Sequence, residues 1–75
     1  MSKNVQLIDP KGKSKIITIT LSDLVGNKKR ELGQEKGVWK FDGEVLKNNK
    51  TFESYGIDTN DVITTSIYTE GGMLN

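Results

Sequence analysis

The feature that most constrains this chain is a pair of short apolar runs, Val5-Gln6-Leu7-Ile8 and Lys15-Ile16-Ile17-Thr18-Ile19-Thr20, separated by Asp9-Pro10-Lys11-Gly12. Proline presets φ and glycine permits positive φ, so the chain should turn back between the runs and pair them as a hairpin. The second arm is rich in β-branched residues, and its alternation places Ile17 and Ile19 on one face.

A change of period follows. Thr20-Leu21-Ser22-Asp23 has the spacing of a capping box, with a carboxylate at the positive end of a helix dipole, and predicts a helix starting at about Leu21. Leu21, Leu24, Lys28 and Leu32 then fall on one helical stripe with Val25 beside it, and Lys28 interrupts the stripe. Gly33 suits the left-handed cap, although a helix continuing to Lys36 and capped by Gly37 also fits. Gly26 and Gly33 can equally be taken as interior glycines, each costing up to about 1 kcal/mol.

Val38-Trp39-Lys40-Phe41, the turn signal Asp42-Gly43 and Glu44-Val45-Leu46 form a second, shorter hairpin. After the polar loop Asn48-Asn49-Lys50, the segment from Thr51 to Ile57 is a compact turn with Phe52, Tyr55 and Ile57 pointing inward. Asp58-Thr59-Asn60-Asp61 is a further turn, and Val62 to Tyr68 is a last strand with Ile63, Thr65 and Ile67 toward the interior. Seventy-five residues leave room for one core only, too little chain for helices on both faces of a sheet. The order of elements predicts an α+β domain, a mixed sheet of four to five strands with one helix packed on one side, the β-grasp layout.

Composition narrows the function. The chain has no cysteine and no histidine, which removes disulfides, thiolate chemistry, zinc fingers and imidazole acid–base catalysis. No enzymatic activity and no cofactor are expected. Ten acidic and eleven basic residues nearly cancel, so no field attracts nucleic acid or an anionic membrane, and Lys28-Lys29-Arg30 has the character of a solvated helix face. No stretch approaches the roughly 20 apolar residues that span a bilayer, and the N-terminus lacks an apolar leader core. A monomer of the cytoplasm or nucleus is expected.

From Phe41 through Gly72 the sequence resembles ubiquitin and the SUMO family without a gap. The Phe41-Asp42-Gly43 turn and the Asp61-Val62-Ile63 strand entry look like SUMO. Thr51, Tyr55 and Ile57 fall where ubiquitin has the same residues, and Thr20-Leu21-Ser22-Asp23-Leu24 looks like the helix entry of many ubiquitin-like domains. The resemblance covers nearly the whole chain and is loosest at 34–36. It implies that Trp39, Leu46, Phe52, Ile57 and Ile63 are core residues, and that Tyr55 buries its ring while its hydroxyl meets backbone in the preceding loop.

A glycine pair alone commonly serves as a flexible turn. Here Gly71-Gly72 comes after the last strand of a β-grasp-like pattern, where a narrow extended peptide can enter an enzyme cleft that excludes any Cβ. The resemblance implies a domain over 1–72 and a removable extension over 73–75. A processing protease would cut between Gly72 and Met73, an activating enzyme would adenylate the Gly72 carboxylate with ATP, and a conjugating enzyme would carry it to a lysine of a target protein.

Departures from the family affect which machinery fits. Ubiquitin's apolar recognition patch corresponds to Lys40, Thr64 and Ser66, and the two basic residues of its tail correspond to Tyr68 and Glu70, so Tyr68-Thr69-Glu70 would disfavour ubiquitin's own activating enzyme. A SUMO-like contact would pair a partner strand with the edge at Ile16-Ile17-Thr18, beside the helix near Lys28 and Lys29; these are equally well plain edge and surface residues. Lys11 and Lys47 are candidate chain-forming lysines, among ten lysines in all. Two other readings remain: a ubiquitin-like adaptor that is never conjugated, and a sulfur carrier with a thiocarboxylate at Gly72, against which the three following residues count.

Overall fold

The computed structural model describes residues 1–67. Strand β1 (Ser2–Ile8) pairs antiparallel with β2 (Ser14–Thr20), with Val5 opposite Ile17 and Leu7 opposite Lys15. The turn between them forms where proline and glycine predict it. Gly12 takes φ 87°, and the Asp9 carboxylate accepts the backbone N–H groups of Lys11 and Lys13, both at 2.9 Å. Val5, Leu7, Ile17 and Ile19 are buried and their neighbours are not, the alternation of a sheet with one covered face.

The helix is shorter than the sequence suggests. Helix α1 covers Val25–Glu31, and Leu24 before it is extended, at φ −75° and ψ 141°. The capping box at Thr20–Asp23 does not form, because the backbone of this stretch is engaged in tertiary hydrogen bonds. Leu21 donates to the Met1 carbonyl, Glu53 donates to that of Leu21, and Phe52 donates to that of Asp23. The first helical N–H groups are satisfied from outside the helix: Val25 donates to the Lys50 carbonyl at 2.8 Å and Gly26 to the Asn48 carbonyl at 3.0 Å.

The later start also turns the buried stripe. Val25, Gly26 and Lys29 are the buried helical residues, with Leu32 packed against the core, whereas Leu24 is exposed and Lys28 half-buried. The helix ends at Gly33, as the shorter of the two boundaries proposed. Gly33 takes φ 73°, its N–H reaches the Arg30 carbonyl and that of Gln34 reaches Lys29, the paired bonds of a Schellman cap.

Strand β3 (Gly37–Phe41) returns through Asp42 (φ 55°) and Gly43 (φ 81°) to the two-residue strand β4 (Glu44–Val45). Two consecutive positive φ values define the type I′ turn that the Asp-Gly pair anticipates. A single 3₁₀ turn at Glu53–Tyr55 precedes strand β5 (Val62–Ile67), which lies parallel to β1 and antiparallel to β3. The result is an α+β fold with one α-helix against a five-strand mixed sheet of order β2-β1-β5-β3-β4.

The core gathers on the helix side. Trp39, Leu46, Phe52, Ile57 and Ile63 all belong to it, as expected, together with Val5, Leu7, Ile17, Ile19 and Val25. The Trp39 and Phe52 rings lie 6.5 Å apart at 40°, and Trp39 Nε1 donates to Gln34 Oε1 at 3.1 Å, so the buried indole keeps its hydrogen bond. Tyr55 Oη accepts the Lys47 N–H at 2.8 Å, the loop contact anticipated for it. Thr65 is half-buried and its hydroxyl donates to the Ile8 carbonyl at 3.3 Å. The expectation for the Ile67 side chain lies outside the described residues.

Candidate functional site

The residues that would carry conjugation, Gly71, Gly72 and Met73 with the preceding Tyr68, Thr69 and Glu70, lie outside the described residues. What the structure places is the sheet surface formed by Lys40, Thr64 and Ser66 and the edge at Ile16 and Thr18. Strand β5 is the central strand, and its last described residue, Ile67, sits opposite Gly37 at the start of β3.

On the sheet face away from the helix, Lys40 is paired with Thr64, and Ser66 lies opposite Val38. Side chains two apart along a strand share a face, so Lys40, Thr64 and Ser66 do converge on one surface, with Trp39 and Ile63 on the other. Around these three polar residues the surface is partly apolar. The register puts Ile8 beside Thr64 and Val45 beside Lys40, and Val62 and Val38 lie on the same face. Val45 and Val62 are 47% and 38% exposed, so a polar centre is bordered by aliphatic side chains. Alternation within each strand marks these residues as outward, but their adjacency depends on inter-strand register.

The SUMO-like contact is only partly assembled. Strand β2 is an edge strand, Ile16 is 60% exposed, and the Thr18 hydroxyl donates to Asn4 Oδ1 at 2.8 Å. However, Ile16 and Thr18 point to the face opposite Ile17 and Ile19, while the helix packs on the inner face with those two residues. The Ile16 and Thr18 side chains and the helical lysines are thus on opposite sides of the sheet, and only the strand backbone could face both.

Lys29 is not a surface residue. It is 4% exposed, and its Nζ donates to Asn48 Oδ1 at 2.8 Å, tying the helix to the loop whose Asn48 carbonyl also accepts the Gly26 N–H. Burial pushes its ammonium pKa below the usual lysine range. Its role as a docking cation is therefore corrected to that of a structural latch. Lys28 stays near the surface, paired with Glu31 at 3.1 Å.

Sequence reasoning missed a basic groove at the hairpin end of the sheet. A cleft of about 460 Å³ lies between the β1–β2 turn and the Gly33–Gly37 connection, and Lys11 and Lys36 line it. A second cleft of about 270 Å³, lined by Lys13 and Lys15, shares Asp9, Gln34 and Thr65 with the first. The alternate lysines at 11, 13 and 15 were visible in the sequence, but a net charge of +1 concealed them, and Lys36 joins them only through the fold.

Among the described residues no group of three or more acidic side chains is placed to hold a metal ion, and no helix is long and apolar enough to cross a membrane. Compared with models of known protein families and with curated proteins, the chain matches none.

Proposed function

We propose that this chain is a ubiquitin-like protein modifier of the β-grasp type, processed after Gly72 and joined through the Gly72 carboxylate to lysines of target proteins. The observation that carries the reading is a conjunction: a five-strand mixed sheet with one helix, compatible with a β-grasp, and a Gly71-Gly72 pair four residues beyond the last described residue of its central strand. Strand β5 pairs with β1 over Val62–Thr64 and with β3 over Thr64–Ile67, so its last described residues are anchored to β3. Glycine at both tail positions removes the Cβ atoms that would widen the peptide.

The chemistry belongs to the enzymes. The Gly72 carboxylate attacks the α-phosphorus of ATP, releasing pyrophosphate and forming an acyl adenylate. A cysteine thiolate of the activating enzyme then displaces AMP to give a thioester. After transfer to a conjugating enzyme, a target lysine amine attacks the thioester carbonyl, forming an isopeptide bond, losing a proton and releasing the thiol. Lys40 at the centre of the outer sheet face, and Tyr68 and Glu70 in the tail, favour a dedicated set of enzymes over those of ubiquitin.

The test is expression of a tagged protein ending at Gly72 beside its Gly72→Ala counterpart in the native cell. Higher-mass adducts in the first and not in the second are expected. Absence of adducts from both, with the Met73-Leu74-Asn75 extension intact on the full-length protein, would reject the reading in favour of an unconjugated adaptor.

A further inference from the structure

The helix is too short to cover the sheet. Seven residues span about 10 Å, against about 23 Å for a seven-residue strand such as β1. The helix stops at the Gly33 cap, and β1 turns away at Asp9. Parallel pairing of β1 with β5 runs from Gln6 opposite Val62 to Ile8 opposite Thr64 and ends there, while β5 continues to Ile67. Among the described residues, the β1-facing side of β5 beyond Thr64 thus has no strand beside it. The larger basic cleft lies in this notch and reaches Thr65 and Ser66.

From this geometry we infer that the notch is a docking site for an acidic segment of a partner protein, bound in extended form. Lys11, Lys13, Lys15 and Lys36 line the two adjoining clefts and are all exposed. Asp9 is the one carboxylate in the lining, and its Oδ1 is already occupied by the Lys11 and Lys13 N–H groups. The ion pairs of the described residues engage Lys3, Lys28 and Arg30 and none of these four lysines.

The form of the site selects the ligand. Lys13 and Lys15 are two residues apart, a spacing of about 7 Å along an extended chain, which matches alternate side chains of a second extended peptide. A lone phosphate is poorly served: the N–H groups of Gly12, Gly33, Gln34 and Gly37 donate to backbone carbonyls, and the nearby helix end is its negative one. Single-stranded nucleic acid would need aromatic faces for stacking, and among the described residues no aromatic side chain lines either cleft. This inference does not depend on the use of Gly71-Gly72.

The test uses the full chain and a short fluorescein-labelled peptide of alternating Glu and Thr, with a Gln-for-Glu copy as control. Anisotropy should rise with the acidic peptide only and fade as salt approaches about 0.5 M. Amide shifts should centre on Lys11, Gly33, Gly37 and Ser66. The double substitution Lys11→Glu with Lys36→Glu should weaken binding about tenfold or more, while Lys47→Glu with Lys50→Glu, of equal charge change on another face, should leave it within about twofold. Equal binding of the two peptides, equal losses in the two double variants, or tighter binding of a labelled oligothymidylate at the same amides would overturn the proposal.

Discussion

Gly26→Ala separates the fold described above from a reading by helix propensity alone. In an unencumbered helix this substitution stabilises by up to about 1 kcal/mol. Here a Cβ at Gly26 would lie 2.9 Å from Asn48 Cβ and 3.0 Å from the Asn48 carbonyl oxygen. Ordinary carbon contacts need about 3.5 Å or more, so the 47–50 loop would have to retreat by roughly 0.6 Å. That movement stretches the 3.0 Å bond from the Gly26 N–H to the Asn48 carbonyl past useful length and strains the 2.8 Å bond from Lys29 to Asn48. Overpacking at about 1–3 kcal/mol and a weakened hydrogen bond at about 1 kcal/mol outweigh the propensity gain of about 1 kcal/mol, for a net loss of about 1–3 kcal/mol. In a domain of this size that lowers the melting temperature by roughly 4–24 °C. Urea titration followed by Trp39 fluorescence suits the measurement, because Trp39 is the single tryptophan and is fully buried. A Gly26→Ala protein as stable as the parent, or more stable, would refute the close approach of helix and loop.

Gly33→Ala meets no atom within 4 Å but must hold φ 73°, so it should cost about 1–2 kcal/mol by backbone strain alone, measured in the same titration. Tyr55→Phe leaves the Lys47 N–H without its acceptor and should cost about 1 kcal/mol, with faster amide exchange at Lys47 as its local signature. Lys29 has a folded-state pKa lowered by burial, so between that value and the unfolded 10.5 the unfolded chain binds more protons and stability rises with pH. Relative to the parent, Lys29→Met should lack this alkaline gain; identical pH slopes in denaturant titrations of the two proteins would contradict a desolvated Lys29.

The elements legible in the sequence were those set by local chemistry. Asp9-Pro10-Lys11-Gly12 and Asp42-Gly43 fix their turns through φ preferences that neighbours do not override, and the β-branched second arm of the first hairpin alternates well enough to put Ile17 and Ile19 on one face. Core membership of Trp39, Leu46, Phe52, Ile57 and Ile63 was implied by the resemblance to ubiquitin-like domains, and all five are buried. The helix start was not legible, because the carbonyls that satisfy the Val25 and Gly26 N–H groups belong to Lys50 and Asn48, far along the chain. With the wrong start, the stripe was rotated, and Lys29 was assigned to the surface when it is the buried cation bound to Asn48. The basic groove was hidden for the same kind of reason: Lys36 meets Lys11 only because a seven-residue helix returns the chain to the hairpin tip.

The proposed role of the tail is open to one direct measurement. Glu70 immediately precedes Gly71-Gly72, so a Glu-specific protease would leave a Gly-Gly remnant on any lysine joined to Gly72. Tagged protein ending at Gly72 is purified from its native cell under denaturing conditions, digested and analysed by mass spectrometry beside the Gly72→Ala version. The account predicts lysine peptides of other proteins bearing Gly-Gly in the first sample and none in the second; the same remnants in both samples, or in neither, would contradict it.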